Sequence, residues 1–481
     1  VRVIVGVFFL ASALGWCQVT WDIEHIDSVP DYNEYIFNSL TLDQYNNPHI
    51  IFVDSGLGCI SYAVKYDSIW YTETIDTYFV PYYGVSIVVD HMGEPHLSYC
   101  GRDALQDKTY LLYAHKSSSI WRIDTVDVIN GWLGNWFWII TSSIDLDTCG
   151  LPGIAYIAWN VPDSIHYIKY AHYTGAIWDT SVVEYDTIYA NQRKMPSDWS
   201  PSLKFGSQNN PIIAFQQHFT PFCTLKVARY NIQNNQWEKT CLTPFPDASI
   251  PVSLALTTQD YPCIAHDAYG SLVYTWYDGV EWHSEGILGY ALLDTRVALD
   301  LDSNDDPHIC YNAGAMITWA GYCYKKNGSW HLCGRIDSTA MSYHSFIGIA
   351  IDRNDQPHVS YGKYDYTTNK YYMAYAKGYL TFVDESQISP SERVTLRCYP
   401  TVTTDKCNIE FSLCDPEHIS LSVYDCMGCL IDVIRYNNIH TGINKIQIPF
   451  GNYPHGIYFI SLKTKSDRAC IKIIKISNRS Y

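Results

Sequence analysis

Apolar and polar residues alternate along most of the chain in short runs, each closed by Gly, Asn, Asp or Pro. Ile60-Ser61-Tyr62-Ala63 and Leu299-Asp300-Leu301 have this period of two, which predicts half-buried strands. No helical periodicity occurs anywhere, so the fold class is all-β. One pattern repeats: Leu299-Asp300-Leu301-Asp302 runs through a polar turn to Pro307-His308-Ile309-Cys310-Tyr311, and Ile349-Ala350-Ile351-Asp352 runs likewise to Pro357-His358-Val359-Ser360-Tyr361. Close copies lead to Pro48-His49 and Pro95-His96, and looser ones carry Pro152, Pro211 and Pro262. A repeat of this length is the signature of a β-propeller with one blade per unit.

Each unit predicts four strands. The first ends in Asp, and a turn follows. Proline then opens the second strand, where its missing N–H does no harm. A tyrosine-bearing third strand follows, then a fourth that begins at tryptophan: Trp70, Trp121, Trp178, Trp237, Trp282 and Trp330. A seventh tryptophan strand, from Trp21 to Ser28, precedes every other strand, while the last unit, ending at Tyr375-Ala376, lacks one. The N-terminal strand is therefore expected to complete the seventh blade and close the ring.

Past Ser386 the repeat stops, and alternating strands of another kind follow Tyr399-Pro400. Among them are Val423-Tyr424-Asp425-Cys426-Met427-Gly428, Gly456-Ile457-Tyr458 and Lys472-Ile473-Ile474-Lys475. This segment resembles the C-terminal (Por) sorting domain of the type IX secretion system, although Thr401-Val402 stands where that family usually has Asn-Pro. The resemblance implies export across the outer membrane of a Gram-negative-type bacterium, with the secretion machinery as partner, and release or attachment at the cell surface. The expected organisation is a signal peptide at 1–17, a seven-bladed β-propeller at 18–386 closed by its N-terminal strand, a linker at 387–396, and an Ig-like β-sandwich sorting domain at 397–481. Arg2 followed by the short apolar run Val3 to Leu10 suits a cleaved leader better than a membrane span.

Composition narrows the partners. Among 481 residues, Lys+Arg number 32 against 49 Asp+Glu, a formal charge of -17. Such a field repels phosphate backbones, so nucleic acid is not an expected partner, and no later segment reads as a membrane span. The sixteen cysteines have no repeating spacing and read mainly as small buried hydrophobes.

Candidate chemistry is sparse. Asp300-x-Asp302-x-Asn304-Asp305-Asp306 has the composition of a calcium loop, but Asp and Asn also stabilise turns, and turn chemistry is the preferred reading. His49, His96, His308 and His358 recur with the repeat and read as structural, not as a metal ring. Cys426-x-x-Cys429 lacks a second pair for zinc. Neither a nucleophile elbow nor a zinc-protease helix is present, so no catalytic residue is nominated, and no cofactor other than a possible calcium. The connections between tryptophan strands and the next blade are aromatic. Tyr82, Tyr83, Trp132, Trp136, Trp138 and Trp199 are the candidate ligand-binding residues, because rigid aromatic faces suit sugar rings or peptide side chains. The expected function is an extracellular binding protein for a carbohydrate or protein ligand. A glycan hydrolase or lyase, and a structural surface protein, are the alternatives.

Overall fold

A computed structural model describes residues 18–29, 36–54, 58–103, 105, 108–129, 141–160, 165–187, 200–219, 222–245, 252–268, 270–288, 296–313, 318–337, 345–365, 368, 370–381, 396–413, 417–425, 430–451, 453–463 and 468–476. Up to Thr381 these residues form seven four-stranded sheets, six of them in chain order from inner to outer strand. Blade 1 comprises Asn38–Leu42, Pro48–Asp54, Cys59–Tyr66 and Ile69–Asp76. Blades 2 to 6 begin at Val80, Ser142, Ser202, Ser253 and Val297. In blade 7 the strands Ile347–Ile351, Pro357–Asp365 and Lys370–Thr381 are completed by Gln18–Val29, which lies beside Lys370–Thr381. The expected closure is present. Blade 7 meets blade 1 at the inner strands, where Phe346 N–H donates to Ile36 O (3.1 Å) and Asn38 Nδ2 to Phe346 O (2.8 Å).

The polar turns after the inner strands explain their own composition. Asp43 Oδ1 accepts the N–H groups of Tyr45 (2.8 Å) and Asn47 (2.9 Å), and Asp302 and Asp352 repeat the arrangement. The fourth turn residue has a left-handed backbone in every blade: Asn46, Gly93, Gly150, Asn209, Asp260, Asp305 and Asp355. Gly, Asn and Asp are the residues that adopt it at least cost. Where this residue has a side chain, it accepts from the second turn residue of the preceding blade. Thr148 N–H donates to Asn209 (2.7 Å), Ser207 to Asp260 (2.9 Å), Thr258 to Asp305 (2.9 Å), Ser303 to Asp355 (2.9 Å) and Arg353 to Asn46 (3.3 Å). A belt of hydrogen bonds thus runs round this end, and Gly93 and Gly150 have no side chain to continue it.

Between blades, each outer-strand tryptophan meets the third strand of the blade before it. Trp121 packs edge-on against Tyr62 (centroids 5.3 Å apart), and Trp178 against Tyr113 (5.2 Å). Trp237 does the same against Tyr170 (5.4 Å), Trp330 against Tyr274 (5.6 Å) and Trp70 against Tyr375 (5.2 Å). The N-terminal strand obeys the same rule, with Trp21 edge-on to Tyr322 at 5.3 Å. Gly378 leaves room for that indole, since a Cβ there would lie 2.8 Å from the Trp21 ring. Cations reinforce the seams: Lys65, Lys116, Lys169, Lys226 and Lys325 pair with Glu24, Glu73, Asp127, Glu184 and Glu285 of the preceding outer strands.

Five outer strands carry a bulge opposite the residues just before the third-strand aromatic position. The extra residues are Ile75, Val126, Val183, Leu242 and Ile287, each packed in an interblade cluster. Each stands five positions after its tryptophan and, as that odd spacing requires, lies in the cluster on the opposite face of the blade. The bulge leaves it without a partner on the third strand.

From Leu396 the chain forms a separate unit of two sheets. Leu396–Tyr399, Lys406–Leu413 and Gly442–Pro449 make a three-stranded sheet. Val402–Thr403, Arg468–Lys475, Gly456–Lys463, Glu417–Asp425 and Leu430–Ile439 make, in that order, a five-stranded one. Ile409 and Phe411 from the first sheet share one core with Leu421, Val423, Ile460 and Ile473 from the second, giving a sandwich.

Candidate functional site

The seven inner strands surround a central cavity of about 200 Å³. Because alternate strand residues share a face, the cavity wall is layered. One layer holds Ser39, Ser86, Ser143, Ser202 and Ser253, with Ala298 and Gly348 completing the circle. These hydroxyls stitch neighbouring blades together. Ser86, Ser143, Ser202 and Ser253 accept the N–H groups of Ile144 (3.2 Å), Leu203 (3.0 Å), Leu254 (3.0 Å) and Leu299 (2.9 Å). Two residues further along the strands stand Asp145, Lys204 and Asp300. Asp145 Oδ2 accepts Phe205 N–H and Asp300 Oδ2 accepts Ile351 N–H, both at 2.8 Å. Burial raises both carboxyls above the usual carboxylate range, while those amides and the Lys204 charge oppose the rise.

The inner strands start at the end where the tryptophan strands hand over to the next blade. There Thr141 donates to Ser200 (3.2 Å), and the Arg296 guanidinium lies over the Phe346 ring, 4.7 Å from its centre. The blades differ at this end. The fifth residue after the repeat proline is Val53, Cys100 or Ile157 in blades 1 to 3, but Gln216, Asp267 or Asn312 in blades 4 to 6, all buried. Gln216 Nε2 donates to Asp267 O (3.5 Å), and Asn312 Nδ2 donates to Ser345 O (2.6 Å). Beside Asp267, His266 bonds Asp267 O through Nδ1 (3.1 Å) and Thr275 through Nε2 (2.9 Å). Burial pushes its pKa down to about 4, so the ring is neutral at physiological pH. The polar wedge from Ser200 to Asn312 therefore combines hydroxyls, amides, a carboxylate and a guanidinium on rigid strands. Such a set can grip a polar ligand in a defined orientation.

Sequence reasoning missed this wedge. Its signal was available in the exchange of an apolar for a polar residue at one fixed repeat position. Of the six aromatic candidates, Trp132, Trp136, Trp138 and Trp199 lie outside the described residues. Tyr82 and Tyr83 belong to the strand Val80–Val89, but their side chains are likewise outside. Two neighbouring aromatics are described. Tyr78 is exposed and donates to Asp103 (3.1 Å), whereas Phe79 is packed against Tyr110. The repeat histidines sit between strands, not on the cavity wall. Nδ1 of His49, His96, His308 and His358 meets the hydroxyl of Tyr62, Tyr113, Tyr322 and Tyr375, each at 2.6 Å. Among the described residues no group of three His, Cys, Asp or Glu is placed to hold a metal ion. The turn carboxylates nominated for calcium bond backbone amides. Cys426 and Cys429 are outside the described residues.

Residues 397–476 match the family model of the secretion system C-terminal sorting domain. No curated protein matches the chain. Among solved structures, the BP39L lectin from Burkholderia pseudomallei is similar at 12% identity and a TM-score of 0.51, over 71% of this chain and 94% of its own. AofleA from Arthrobotrys oligospora is 10% identical, with a TM-score of 0.42, over 68% and 90%. A polysaccharide lyase, an ulvan lyase, is 11% identical, with a TM-score of 0.46, over 73% and 94%. At such identities the likeness is one of fold. The segment 397–476 is a type IX secretion sorting domain, and it marks the chain as a β-propeller protein secreted from, or held at the outer surface of, a Bacteroidetes-type bacterium.

Proposed function

We propose that the propeller is an extracellular binding module whose loop face engages a carbohydrate or protein ligand, the C-terminal domain serving only to deliver it. The observation that carries this reading is the polar wedge at the end where the inner strands start: Ser200 and Arg296 line the cavity, and Gln216, Asp267 and Asn312 stand on the second strands of blades 4 to 6. Hydrogen-bonding groups on rigid strands are what a hydroxyl-rich ligand requires. The likeness of fold to a bacterial lectin is consistent with this use of the scaffold. A hydrolase or lyase acting on extracellular glycan, with acids recruited from several blades, is the second reading.

The test is a binding screen of the full chain against polysaccharides, with product analysis on every hit. Binding without product supports the module; release of shorter or unsaturated sugars replaces it with the enzyme. For a confirmed ligand, the triple variant W132A/W136A/W199A is expected to weaken binding at least about tenfold, each lost stacking contact costing on the order of 1 kcal/mol. Unchanged affinity in that variant removes the aromatic connections from the site.

A further inference from the structure

The sorting domain opens with two strands, Leu396–Tyr399 and Lys406–Leu413, joined by a short connection. Their antiparallel register sets Cys398 opposite Ile409. Cys407 is two residues from Ile409 on the same strand, so its side chain shares the face of Cys398 and lies diagonally across from it. Both belong to the sandwich core, with Cys398 7% and Cys407 0% exposed. Both are free thiols, and Cys398 Sγ donates to Pro400 O (3.6 Å). Other described cysteines, such as Cys100 and Cys263, are buried in separate interblade clusters of the propeller. Cys333 is already in a disulfide.

We infer that Cys398 and Cys407 are joined by a disulfide in the exported protein, stapling the first strand of the sorting domain to the second. The compartments through which an exported chain passes are oxidising, and there two thiols meeting in a core are oxidised. One thiolate displaces a thiolate from a disulfide oxidant, giving a mixed disulfide; the other cysteine, deprotonated in turn, attacks that sulfur and displaces the oxidant's second thiolate. Two protons and two electrons leave the pair, and the oxidant is reduced to two thiols. Closure occurs while the hairpin is still open to the oxidant; once the core packs, burial shields the bond.

The experiment uses the full chain, exported to the periplasm of an expression host and also refolded in a reduced/oxidised glutathione buffer. Each sample is unfolded in guanidinium with iodoacetamide and no reductant, then digested. The expected result is a peptide pair cross-linked through Cys398 and Cys407, with neither residue alkylated. Alkylation of both in the two samples overturns the inference, as does a cross-link from either to a third cysteine. Reduction is expected to lower the melting temperature of the sandwich by about 5 °C. The C398A/C407A variant should not show that loss. An equal loss in the variant assigns the effect to Cys333 and overturns the stabilising role.

Discussion

His49 shows how one residue ties a blade together. Its Nδ1 is hydrogen-bonded to the Tyr62 hydroxyl, and its Nε2 faces Asp43 at 3.6 Å, six residues back along the chain. Burial keeps the ring neutral. His49, His96, His166 and His266 are all pushed down to about 4. The unfolded chain takes up these protons near 6.5, above the folded values. Stability is therefore level above about pH 6.5 and falls as pH drops from there toward 4. Thermal melting at pH 7.5 and 4.5 should show a large fall, to which each histidine contributes up to about 3 kcal/mol. H49Q should melt lower than wild type at pH 7.5 yet lose less on acidification; parallel losses exclude His49 as a source. The Asp–His spacing was legible in the repeat, but the tyrosine partner was not, because it lies across a hairpin whose register only folding fixes.

At the scale of strands, the alternation that revealed the blades concealed the bulges. Trp70 and Ile75 lie in clusters on opposite faces of blade 1, and Trp121 and Val126, and Trp178 and Val183, are divided in the same way. A period of two gives just that arrangement, so nothing in the alternation marked the unpaired residue. Ring closure was fully legible, since seven tryptophan strands served seven units with one displaced to the N-terminus. Deleting residues 18–28 strips blade 7 of its outer strand and removes Trp21 from Tyr322. The deletion should lower the melting temperature by well over 5 °C, with Trp21→Ala alone costing about 3 kcal/mol. Unchanged melting would refute closure by this strand. The turn belt makes a milder prediction. Gly150 already has a left-handed backbone, with nothing within 4 Å of an added Cβ. Gly150→Asn should therefore hold or slightly raise the melting temperature, whereas Asp355→Ala, which loses two bonds from Ser303, should cost about 1–2 kcal/mol.

At the scale of the whole molecule, repeat and address were both readable, because each is written in local pattern. The polar wedge was not, because Gln216, Asp267 and Asn312 stand about 50 residues apart and acquire meaning only when blades 4, 5 and 6 become neighbours. Propeller and tail have separate cores. Ending the chain at residue 386 should leave the propeller's melting unchanged while retaining it inside a type IX-competent cell. Secretion of that truncated chain at the wild-type level would show that the address lies elsewhere.

Among the described residues the strand Gln18–Val29 pairs with Lys370–Thr381, so the earliest strand of the ring is the last to be satisfied. A polypeptide broken off at any earlier point keeps that strand orphaned and leaves raw sheet edges exposed. The circle thus acts as a completeness check, in which proteases can recognise a prematurely ended copy by its unsealed blade and clear it before it accumulates.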